Sequence, residues 1–92
     1  MNLKCRFFAT FRQAVGSKTI EREVEDETTV GDLLSALETE YDGLEGQLLD
    51  GESLKPSINV LRNGREVLHI DGSATELADG DTVSVFPPVA GG

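Results

Sequence analysis

Val30, Leu33, Leu34, Leu37, Tyr41 and Leu44 recur at helical spacing, and no other feature of the chain narrows its fold as much. The stripe predicts one amphipathic helix that must bury its apolar side against another layer. Thr29 precedes it as an N-cap, and Asp32 completes a capping box while placing negative charge at the positive end of the helix dipole. Gly43 reads as the breaker at the far end.

The segments around this helix alternate with period two, the mark of half-buried strands. Leu3, Cys5 and Phe7 alternate with Lys4, Arg6 and Phe8, and Ile20, Arg22 and Val24 with Glu21, Glu23 and Glu25. A single helical turn over 11–15 and a turn at Gly16-Ser17 join these two strands. After the helix, 46–56 reads as a loop with Leu48 and Leu49 tucked beneath it. Ile58, Val60 and Leu61 form a third strand, and Asn63-Gly64 is a strong hairpin signal because both positions tolerate positive φ. A returning strand over 66–70, a short turn at Thr75-Glu76-Leu77 and a tight turn at Asp79-Gly80-Asp81 lead into a last strand over 82–86. The order strand, strand, helix, strand, strand, strand is that of a β-grasp, an α+β fold with a mixed sheet packed on one main helix. Another small α+β sandwich with the helix on one face is the alternative. The expected organisation is a β-grasp domain over 1–86 and an extended flexible tail over 87–92.

Composition removes most functions. The 92 residues hold 17 acidic and 8 basic side chains, a net charge of −9. Phosphate recognition needs clustered Lys and Arg, so the balance argues against nucleic acid and against an anionic membrane surface. One cysteine and one histidine cannot supply an internal disulfide, a tetrahedral zinc site, an iron–sulfur cluster or most catalytic triads. A β-grasp ferredoxin is excluded because it needs four cysteines. No apolar run reaches the length of a membrane span. Residues 1–4 lead straight into the first alternation, so no signal peptide and a cytoplasmic location are expected. The acids at 21–27 read either as a solvated strand edge or as part of a hydrated carboxylate shell suited to high salt. Cys5 reads as a small core residue rather than a thioester carrier, and His69 as a solvated strand residue.

The chemistry concentrates after the last strand, in Pro87, Pro88, Val89, Ala90, Gly91 and Gly92. Pro87 cannot extend a ladder, and two prolines in succession favour an extended polyproline path away from the domain. Six extended residues at about 3.3 Å each reach roughly 20 Å, enough to carry a carboxylate into another protein's deep site. Two glycines pass where no Cβ fits. The handle at the tip is the carboxylate of Gly92, a poor electrophile until it gains a leaving group. The chain carries no catalytic base, metal site or phosphate loop for that step. Activation therefore falls to a partner, by attack on ATP to form an acyl-adenylate, from which the acyl group passes to a thiolate, a sulfur donor or a lysine amine. Glycine-rich chain ends are also commonplace, and the competing reading is a β-grasp interaction module with an inert tail.

The ending FPPVAGG, the helix start TVGDLLSAL and the opening FFATFRQAVG resemble the MoaD/ThiS group of ubiquitin-like proteins. Within that group, INVLRNG with FPPVAGG in an acidic, lysine-poor chain is most similar to the haloarchaeal small archaeal modifier proteins. The resemblance covers essentially the whole chain. It implies a protein that is itself no enzyme and binds no cofactor. An E1-like activating enzyme would spend ATP to adenylate Gly92, with Gly91 as its required neighbour. An isopeptide bond to target-protein lysines would follow, open to reversal by a deconjugating protease. It equally implies a sulfur carrier whose Gly92 thiocarboxylate serves molybdopterin synthesis, through the large subunit of molybdopterin synthase, or tRNA thiolation. The two roles can coexist.

A docking face is also expected. The polar companions of the first and last strands mark an outer sheet face, with Phe8 and Phe86 as exposed aromatics at its end and Leu61 beside them. The resemblance to MoaD-type proteins implies docking through this open sheet face. The competing reading has the two phenylalanines cover a satellite core under Phe11.

Overall fold

A computed structural model describes residues 1–88. The elements run β1 (Asn2–Phe7), α1 (Ala9–Val15), β2 (Thr19–Glu23), α2 (Val30–Glu40), β3 (Leu49–Asp50), β4 (Ser53–Leu54), β5 (Asn59–Arg62), β6 (Arg65–Glu66) and β7 (Thr82–Phe86), with single 3-10 turns at Asp42–Leu44, Val67–His69 and Gly72–Ala74. Five strands form one sheet in the order β2-β1-β7-β5-β6, and β3 and β4 form a separate small hairpin. β1 and β7 pair in parallel at the centre, while every other pairing in the sheet is antiparallel. This is the β-grasp expected from the order of elements.

Period two sends Leu3, Cys5, Phe7, Val60, Val83 and Val85 to one side of the sheet, and all are buried. α2 lays Val30, Leu33, Leu34 and Leu37 against them. Its capping box is formed as expected, with Asp32 N–H donating to Thr29 Oγ1 and Thr29 N–H donating to the Asp32 carboxylate, both at 3.2 Å. The turn at Asn63-Gly64 has φ of 51° and 84°, the left-handed pair that a two-residue hairpin requires.

Four local expectations change. α2 ends at Glu40, and the apolar stripe is finished by Tyr41 at the cap and Leu44 in the following 3-10 turn. Gly43 is not the residue that stops the helix: a Cβ there would lie 2.7 Å from the Ala14 Cβ, so glycine is needed for the close approach of the 3-10 turn to α1. The segment 46–56 contains the β3–β4 hairpin, with Leu48 fully buried and Leu49 partly so. The returning strand over 66–70 is only the pair Arg65–Glu66, after which the chain coils into a 3-10 turn that buries Val67 and leaves Leu68 53% exposed.

One polar cluster fixes the start of β7. Asp81 is almost fully buried and accepts from Arg62 Nε at 2.6 Å, Asn63 Nδ2 at 2.8 Å and Ala78 N–H at 2.8 Å. Asn63 Oδ1 in turn accepts from Thr82 N–H at 2.9 Å. The carboxylate thus ties the β5–β6 hairpin to the turn that launches β7. Burial pushes the Asp81 carboxyl up, but the bonds from Arg62, Ala78 and Asn63, together with the Arg62 charge, outweigh it and hold the group below its ordinary value of 3.8. Nothing in the spacing of Asp79-Gly80-Asp81 distinguishes this anchor from an ordinary turn.

Candidate functional site

The sheet side opposite α2 carries no second layer among the described residues, and the pairing register lays out its rows. Thr19, Arg6, Ser84, Leu61 and Glu66 form one row across the sheet, and Glu21, Lys4 and Thr82 form another. Asn59 stands opposite Phe86, which makes Leu61 the diagonal neighbour of Phe86 on the same face. Lys4 is exposed, Arg6 and Leu61 are half-buried, and Ser84 is 7% exposed.

Phe8 and Phe86 sit where the last row ends. Neither stands exposed as the alternation predicted. Their rings stack with centroids 4.1 Å apart and 11° between planes, so each covers part of the other and both are half-buried. The backbone makes this possible: Phe8 is extended, and Ala9 takes φ of 51°, a left-handed conformation uncommon outside glycine. That bend turns the chain into α1 just past the sheet. The Arg6 guanidinium lies 5.2 Å from the Phe8 ring centroid, a cation over an aromatic face. Phe11 is buried in the main core, separate from the stacked pair in its burial. A shallow, mostly apolar cleft opens here between Phe8, Ala9 and Thr10 on one side and Asn59, Phe86, Pro87 and Pro88 on the other. The structure therefore brings Phe8, Phe86 and Leu61 together at the base of the tail.

β7 ends at Phe86, with Pro87 half-buried and Pro88 exposed beyond it. Val89, Ala90, Gly91 and Gly92, named above for tail positioning and for the reacting terminus, lie outside the described residues. Cys5 is fully buried on the inner face, and burial pushes its thiol up to about 11, only partly offset by the Arg22 charge. A thiol so placed is a poor nucleophile at neutral pH. His69 is exposed, in a 3-10 turn rather than a strand, with Nε2 3.4 Å from the Glu66 carboxylate. No helix among the described residues is long and apolar enough to cross a membrane.

The alternation did not anticipate the environments of three side chains, two on this surface and one beyond it. Arg6 reads as a generic solvated strand residue until its ring partner is seen. Ser84 reads as polar and outward, yet it is buried. Leu68, the most exposed large apolar side chain described, was hidden in the doublet with Val67.

The family model described as the ThiS family matches residues 5–92. The chain belongs to the ThiS family of ubiquitin-like proteins. It is 63% identical to small archaeal modifier protein 3 of Haloferax volcanii over 92 residues, covering 100% of both chains. The crystal structure of small archaeal modifier protein 1 from the same organism superposes with a TM-score of 0.83 at 35% identity, covering 100% of each chain. The sulfur carrier protein CysO of Mycobacterium tuberculosis is 40% identical over 67 residues, 70% of this chain and 72% of that one.

Proposed function

We propose that this chain is a ubiquitin-like protein modifier, activated at Gly92 by an E1-like enzyme and joined by an isopeptide bond to lysines of target proteins. The observation that carries this reading is the full-length 63% identity to a small archaeal modifier, together with the ending Ala90-Gly91-Gly92. In the reaction the Gly92 carboxylate attacks the α-phosphate of ATP and releases pyrophosphate, leaving an acyl-adenylate. The adenylate is open to attack by a thiolate or directly by a lysine amine, with AMP leaving. The domain's contribution is presentation: β7 ends at Phe86 beside the aromatic cleft, and Pro87-Pro88, which cannot extend the ladder, lead the chain off the sheet there. We assign Phe8, Phe86 and Leu61 to the surface that docks on the activating partner. ATP belongs to that partner's site.

The test is capture of tagged chain from cells, with and without Gly91-Gly92. The intact chain yields high-mass adducts and the truncated chain yields none while melting at the same temperature; adducts that persist after truncation overturn the reading. Because the last basic residue is Arg65, trypsin leaves the stretch 66–92 as a branch on each modified lysine, and the search must allow for it.

The CysO similarity supports a second, compatible role, in which hydrosulfide from a donor attacks the same adenylate, the acyl–oxygen bond to AMP breaks, AMP leaves and Gly92 becomes a thiocarboxylate. Its signature is one oxygen replaced by sulfur in the intact mass.

A further inference from the structure

β2 is an outermost strand of the sheet, with β1 on its inner flank. The register decides which of its backbone groups are already used. Val24 and Met1 exchange hydrogen bonds of 2.8 and 2.7 Å, and Lys18 C=O accepts from Phe7 N–H at 2.9 Å. Stepping by two along an antiparallel ladder makes Ile20 and Arg22 the residues bonded to β1. Thr19, Glu21 and Glu23 therefore turn their N–H and C=O groups away from the sheet, and among the described residues no backbone partner meets them.

Alongside this free edge an open groove separates β2 from α2. Val24, Ala36 and Leu37 give it an apolar floor, and Glu23, Glu25, Asp32 and Glu40 an acidic rim. Its one basic lining residue, Arg22, is already engaged by the Glu40 carboxylate and donates to the Tyr41 hydroxyl at 3.0 Å.

We propose that this groove binds an extended segment of a partner protein in which apolar side chains alternate with lysine or arginine. The segment adds a strand to β2 through the free N–H and C=O groups of Glu21 and Glu23. Period two then sends every second side chain the way Val24 points, onto the apolar floor. The intervening side chains lie on the outer face, across from the Glu21 and Glu23 carboxylates, where opposite charge is favoured. A second copy of this chain is a poor occupant, because pairing β2 with β2 sets carboxylate against carboxylate. The site does not involve the terminal glycines, so it stands or falls separately from conjugation.

The test is titration of the isotopically labelled full chain with an acetylated, amidated peptide of three Val-Lys repeats, with three Val-Glu repeats as control. The expected result is shifted amide signals at Glu21, Glu23, Val24, Ala36 and Leu37. Hydrogen exchange at the Glu21 and Glu23 amides should slow by at least about tenfold, because each gains a backbone acceptor. The control peptide should leave both unchanged. The double variant E21K/E23K should weaken binding at least about tenfold, equivalent to about 1.4 kcal/mol. Ala36→Gln, on the exposed helix face, should weaken it with the melting temperature unchanged. Shifts without slowed exchange, equal binding of the acidic peptide, or protection of these amides by self-association of the free chain would each overturn the proposal.

Discussion

The two faces of the five-stranded sheet are built from the same strands yet obey different physics. Toward α2, Leu3, Cys5, Phe7, Val60, Val83 and Val85 are each no more than 2% exposed, and the helix fills the space above them. On the other side, alternate residues of those strands give a mixed surface: exposed Lys4, half-buried Arg6 and Leu61, and the stacked Phe8 and Phe86 beside the tail. Inner positions are chosen to fill volume. Outer ones keep apolar area that the fold does not need to bury, and such area on a small protein marks a contact surface.

Three experiments probe that contrast. The largest effect belongs to the inner face: Phe7→Ala should cost about 3–5 kcal/mol of stability in chemical denaturation, from lost burial plus a cavity. A loss under about 1 kcal/mol would mean that the inner face is not tightly packed. On the outer face, Phe86→Ala should cost about 1 kcal/mol of stability, the worth of the stacked pair. Its affinity for the activating enzyme should fall by about 2 kcal/mol or more, as for a central interface anchor. The opposite ranking would make Phe86 a core residue and dissolve the distinction. The third effect lies at the start of β7 and touches stability alone: Asp81→Asn should cost about 1–2 kcal/mol near neutral pH, because Arg62 loses its charged acceptor. Since Asp81 is held below 3.8 in the folded chain, its contribution is complete above that value and is lost as pH falls through the lowered one. Stability curves of the parent and the variant should therefore separate near neutrality and converge as acidification below 3.8 protonates Asp81.

What was legible in the sequence divides along similar physical lines. β1, α2, β7 and the Asn63-Gly64 turn were readable because each is specified by a period or by turn chemistry within a few residues. The stretches 46–56 and 66–77 were not, because strands of two residues are too short to display a period and 3-10 turns have none that differs usefully from a loop. Arg22 shows a subtler limit. The alternation placed it on the inward side with Ile20 and Val24, but only the fold brings Glu40 and Tyr41 to meet it. Gly43 is read from sequence as a helix breaker, and only the distance to Ala14 reveals a packing role. On the outer sheet face, alternation placed Phe8, Phe86 and Leu61 on the same side, whereas the stacking of the two rings depends on the bend at Ala9, which no local rule for alanine predicts.

The parallel pairing of β1 with β7 has a mechanical consequence. The first and last strands lie side by side and run the same way, so the amino end and Pro88 emerge at opposite ends of the ladder. A force applied between them would load the hydrogen bonds from Lys4–Thr82 to Phe7–Val85 in shear, all together, rather than peeling them one at a time. Rupture under such a load follows the unfolding rate rather than the equilibrium stability. A body tethered by its tail and pulled from its other end would hold as a unit until the central ladder failed.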